Sequence, residues 1–154
     1  MSVTPRTTPD GEVSMGGINV GRWLAGGVLA GIVTFVIEGI ASVFYMEEME
    51  AALAARGLSM EMTGAIWVLT ILVSLVLGLV LVFFYAAARP RFGPGPKTAV
   101  LVAVFLWCGG YLLSLIGYYI SGIYPGGMLL KWGVVGLVEM ILASLAGGWV
   151  YREE

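Results

Sequence analysis

The chain contains no histidine, which removes the side chain most often used for acid/base work near neutral pH and for binding transition metals. It has one cysteine, Cys108, so no disulfide forms within the chain. Its place inside an apolar run points to a buried structural thiol rather than a redox or metal site. Charge is scarce too: Lys, Arg, Asp and Glu make up 12% of the 154 residues, while 59% are hydrophobic. A soluble domain of this length cannot hide so much apolar surface, because its outer face must be polar.

What is present accounts for the imbalance. The 27 residues between Glu61 and Arg89 carry no charge, nor do the 33 between Lys97 and Lys131. A helix crossing about 30 Å of hydrocarbon needs about 20 residues. Together with two further apolar runs, these intervals predict an all-α polytopic membrane protein, a bundle of four transmembrane helices. The spans are expected at residues 23–45, 64–88, 98–120 and 129–151. Residues 1–21 are rich in Ser, Thr, Pro and Gly without periodicity and read as a mobile tail before a membrane domain over 22–154. The first apolar run exceeds the ~7–15 residues of a signal-peptide core, so it reads as an uncleaved anchor. Trp23, Tyr45, Trp67, Tyr85, Tyr124, Trp132, Trp149 and Tyr151 cluster near span ends, where amphipathic rings sit at headgroup level.

The connections predict an orientation. Loop one, residues 46–63, carries Glu47, Glu48, Glu50 and Glu61 against Arg56, whereas loop two carries Arg89, Arg91 and Lys97 with no acid. Cations favour the cytoplasm, so loop two and both termini are expected there. In loop one, Met46, Met49 and Leu53 share a helical face, which predicts a short helix on the outer membrane surface or an extension of the first helix.

Two spans carry an acid, Glu38 in the first and Glu139 in the fourth. An intramembrane carboxylate is costly, so it needs a partner or a task. Glu38 lies about 10 Å from the outer end of its span and Glu139 about 15 Å, at 1.5 Å per residue. The two therefore meet if their spans are neighbours. Thr34 and Ser42 flank Glu38 on its face, and Gly136, Ala143 and Gly147 make a small-residue stripe around Glu139 that permits close packing. A third stripe, Trp107, Tyr111, Ser114, Tyr118 and Ser121, offers hydroxyls, so Ser114 and Tyr118 join Thr34 and Ser42 as candidate partners of the acids. No Lys, Arg or His is expected inside the spans to neutralise them. The pair reads either as hydrogen-bonded packing residues or as a proton or cation site coupled to movement. Structural cation coordination is a third option, although two carboxyls alone make an incomplete site. Residues 36–42 and 138–144 also echo one another, which fits an inverted repeat or chance among small apolar segments.

The string Tyr85-Ala86-Ala87-Ala88-Arg89-Pro90-Arg91-Phe92-Gly93-Pro94-Gly95-Pro96-Lys97-Thr98-Ala99 is the most distinctive in the chain. Its three prolines stiffen a tight connection and its cations adjoin anionic headgroups, making Arg89, Arg91 and Lys97 a candidate lipid or partner loop. With Glu38 in the first span and Val138-Glu139-Met140 in the last, the string resembles that of small, uncharacterised bacterial membrane proteins with four predicted helices. The resemblance implies the architecture and a bacterial inner (cytoplasmic) membrane, with no activity attached. Small multidrug transporters are similar in having four helices and a Glu in the first, but this chain is longer and adds an acidic first loop and a second Glu.

No enzyme motif, cofactor site or metal site is evident, and no nucleic-acid partner is expected. The leading expectation is a non-enzymatic integral membrane protein, free-standing or an accessory subunit of a membrane complex, with lipid and other membrane subunits or further copies of itself as partners. The alternative is a small proton- or cation-coupled transporter using Glu38 and Glu139.

Overall fold

The computed structural model describes residues 6–7, 13–15 and 17–151. Strands β1 (Arg6–Thr7), β2 (Val13–Met15) and β3 (Ile18–Asn19) pair antiparallel in that order. Most of the tail expected to be mobile lies outside the described residues.

Helix α1 (Val20–Ala41) starts where the Asn19 side chain accepts the Arg22 backbone N–H at 2.9 Å. A 3-10 turn, Ser42–Phe44, follows and leads into the short helix α2 (Met46–Ala54) within loop one. Thr63 caps the start of α3 (Gly64–Phe92). Next come α4 (Pro96–Leu106), a π-helical segment (Trp107–Leu112) and α5 (Leu113–Ile120), which together form one continuous rod, and then α6 (Gly126–Val150). Four stretches are long and apolar enough to cross a membrane: Val20–Phe44, Gly64–Phe92, Pro96–Ile120 and Gly126–Val150. The protein is an all-α, four-helix membrane bundle.

The basic connection is shorter than expected. Arg89 and Arg91 belong to the last turn of α3, and Lys97 lies in the first turn of α4, leaving only residues 93–95 between helices. The breaks come from Gly93 (φ 81°) and Gly95 (φ 121°), in a region that favours glycine, while Pro96 suits a first helical turn whose N–H has no helical partner anyway. The Thr98 hydroxyl closes the turn by donating to the Gly93 carbonyl at 2.7 Å.

Glycine sets the helix spacing. α1 lies against both α3 and α6, and α4 packs on α6 and α3. A Cβ on Gly78 of α3 would sit 2.7 Å from the Gly31 Cα and closer still to the Gly31 nitrogen and the Gly27 carbonyl oxygen. On the other side of α1, a Cβ on Gly26 would meet the Gly147 oxygen at 2.6 Å. Backbone thus rests on backbone, the arrangement that dispersion favours where lipid supplies no hydrophobic drive between helices. Trp23 Nε1 donates to the Leu79 carbonyl (2.8 Å), and the buried Ser144 hydroxyl donates to the Ala99 carbonyl (2.8 Å), tying α1 to α3 and α6 to α4.

The two ends of α3 differ. No residue before Ser74 is buried, and Trp67, Val68, Leu69, Ile71, Leu72 and Val73 are exposed. Cys108 also faces outward, correcting the expectation of a buried thiol. In the same π segment Trp107 and Tyr111 point toward α6, where they donate to the Gly133 and Trp132 carbonyls.

Candidate functional site

Glu38 and Glu139 meet. Glu139 is buried on α6, Glu38 is half-buried on α1, and their carboxyl groups lie within hydrogen-bonding reach of each other. A carboxylate only accepts hydrogen bonds, so two carboxyls bond each other only when one carries a proton. The Tyr45 hydroxyl donates to Glu38 Oε1. Tyr45 follows Glu38 by seven residues, two turns along the same face, and helical side chains lean back toward the N-terminus. The 3-10 turn between them helps return the phenol over the acid.

An aromatic cluster closes the site toward the end that bears α2. Trp132 stacks between Tyr45 (centroids 5.8 Å apart, 28°) and Tyr118 (6.0 Å, 7°). Tyr111 and Tyr124 approach it edge-on at 6.5 and 6.0 Å. Tyr111 lies within electrostatic range of both acids, with its hydroxyl 3.4 Å from the Trp132 carbonyl. Its ring occupies the place a Cβ on Gly136 would need, 2.5 Å from Tyr111 Cζ. Gly136, one turn before Glu139, therefore admits the phenol to the acid pair.

Helix α2 spans this end. Arg56 bonds the Ala52 carbonyl at 2.7 Å and also the Gly122 carbonyl in the turn between α5 and α6. Lys131 pairs with Glu48. Met49 packs beside Ala41, Tyr45 and Met128. Lys131 is thus a cation inside the fourth helix, contrary to expectation, yet its ammonium is drawn to the acidic α2 and away from Glu139.

The other candidate hydroxyls are placed differently. Thr34 is buried one turn from Glu38, and its Oγ1 has no hydrogen-bond partner among the described residues. Ser42 donates to Gly39 (2.8 Å) and Ser114 to Gly110 (2.9 Å), each a local backbone carbonyl; Ser42 is half-buried and Ser114 exposed. The π turn explains Ser114: extra residues per turn carry the inward face from Tyr111 to Leu115, which packs against Gly133. Tyr118 contributes its ring to Trp132 and is bonded to neither acid among the contacts above.

No family model matches the chain, and no curated protein or solved structure matches it.

The residue beside the acid pair that was missed in the sequence is Tyr45, which reads there as one more ring of the interfacial belt. Its spacing of seven from Glu38 was the available signal. Arg89, Arg91 and Lys97 sit at the opposite end of the bundle, where Arg89 lines a cavity of about 700 Å³. Among the described residues, no cluster of three metal-ligating side chains occurs.

Proposed function

We propose that the protein is a non-enzymatic integral membrane protein of the bacterial cytoplasmic membrane, acting as an accessory subunit of a larger membrane complex. In this reading the Glu38–Glu139 pair is a proton-bearing latch between the first and last spans. The observation that carries the latch is the closure of the pair on itself: carboxyl faces carboxyl, Tyr45 donates to Glu38, and the Trp132 cluster covers them. Toward the other end, the Gly26–Gly147 and Gly78–Gly31 contacts leave backbone against backbone. The exposed first third of α3 supports a subunit role by offering a long apolar face. The resemblance of the basic string supports the bacterial setting. Arg89, Arg91 and Lys97 at one end, against Glu47, Glu48 and Glu50 at the other, support cytoplasmic termini.

A second reading, proton- or cation-coupled transport, draws on one observation. Glu38 is only half-buried and is linked through Tyr45 to the α2 end, which gives the acid pair a short route to that side. Glu38→Gln and Glu139→Gln separate the two readings. Glutamine keeps the shape and hydrogen bonding but does not exchange a proton in this range. A latch predicts folded variants and liposomes with unchanged, background proton flux. Flux that is present in the wild type and lost in either variant favours transport.

A further inference from the structure

At the end opposite the acid pair, the bundle opens into a cavity of about 700 Å³ between the C-terminal turns of α3 and α6 and the start of α4. Its walls are made rigid by their own hydrogen bonds. The Tyr85 hydroxyl accepts the Gly95 backbone N–H at 3.0 Å, and the Tyr151 hydroxyl accepts that of Asn19 at 3.2 Å. The two rings meet edge to face, 6.2 Å apart. The Arg89 guanidinium sits over the Tyr151 ring, 5.4 Å from its centroid, which fixes a positive charge in the cavity wall. Gly148 keeps the floor open, since a Cβ there would come within 3.2 Å of the Tyr85 ring. Among the described residues, no acid lines this space.

A second, apolar groove of about 500 Å³ adjoins it, sharing Pro96 as a wall and running along α4 past Lys97, Val100, Leu101 and Val104. These four recur at helical spacing on one face, with the ammonium-bearing residue at the end nearest the cavity. Exposed Trp149 stands at the cavity rim, in a position suited to the headgroup layer.

We infer that this cavity is a headgroup site for an anionic phospholipid, whose phosphate lies by Arg89 and Lys97 and whose acyl chain follows the Val100–Val104 groove. A guanidinium suits a phosphate through paired N–H donors, and the adjoining groove favours a lipid over a free anion. The site stands apart from the acid pair and does not depend on its role.

The test is lipid retention by the full chain. The protein is reconstituted in nanodiscs of equal phosphatidylglycerol and phosphatidylcholine, extracted into mild detergent and examined by native mass spectrometry. One phosphatidylglycerol per chain is expected, favoured about five-fold over phosphatidylcholine, the preference one well-placed cation confers. Arg89→Gln should abolish the preference, and Arg91→Gln, in the same helical turn but outside the cavity wall, should keep it. Equal retention of the two lipids by the wild type overturns the proposal without recourse to any variant. Equal losses in the two variants also overturn it, by showing diffuse surface attraction. Displacement of the lipid by glycerol 1-phosphate at matched concentration assigns the site to a free anion and overturns the lipid assignment.

Discussion

Gly78→Ala adds one methyl group at the tightest helix contact in the bundle, and its cost follows from the geometry. The new Cβ would lie 2.7 Å from the Gly31 Cα, whereas ordinary contact begins at 3.4 Å, and it would lie nearer still to the Gly31 nitrogen and the Gly27 oxygen. All three are backbone atoms, so no side chain can swing aside. α1 and α3 must separate by roughly 1 Å, a gap that forfeits a quarter to a half of the dispersion energy at each affected contact. Overpacking of this kind costs about 1–3 kcal/mol, and alanine returns at most ~1 kcal/mol through its helix propensity. The net expectation is a loss of about 1–2 kcal/mol, read by steric trapping in bicelles. Gly39→Ala is the control: nothing lies within 4 Å of its Cβ, so it should be neutral or stabilising. A Gly78→Ala variant as stable as the wild type would refute the backbone-contact account of this bundle.

Tyr45→Phe removes the hydroxyl that donates to Glu38 and should cost about 0.5–1.5 kcal/mol by the same assay. Ser42→Ala and Ser114→Ala, whose hydroxyls bond local backbone carbonyls, should stay within about 0.5 kcal/mol of the wild type. Topology is open to labelling in a Cys108→Ser background: Ala55→Cys should react with an impermeant maleimide added outside cells, and Pro94→Cys should not. Labelling of position 94 from outside would reverse the proposed orientation.

The membrane architecture was legible because charge-free intervals of 27 and 33 residues leave few alternatives. Depth arithmetic also placed Glu38 and Glu139 within about one turn of each other, and the structure brings their carboxyls together. What escaped the reading depends on departures from the regular α-helix. The Ser42–Phe44 turn helps return Tyr45 to Glu38, and the Trp107–Leu112 π segment turns Ser114 outward and Leu115 inward. Neither departure has a signature in apolar periodicity. The extent of α3 was obscured by proline: Pro90 has no N–H for the Ala86 carbonyl and suggested a loop, yet α3 runs on past it to Phe92. Lys131 was legible in the sequence, since it falls within the expected span 129–151, but its pairing with Glu48 was not, because only the folded chain brings α2 to the start of α6.

The proposed latch joins α1 to α6 through Glu38 and Glu139. A double-mutant cycle of Glu38→Leu, Glu139→Leu and the paired variant measures this directly, with unfolding free energies from steric trapping. Each single variant leaves a carboxyl facing leucine, whereas the pair removes both. The predicted coupling is about 0.6–1.7 kcal/mol, the range of buried polar contacts in membrane bundles, with the double variant less destabilised than the sum of the two singles. Strict additivity would mean that the two acids do not sense each other, which would contradict the latch.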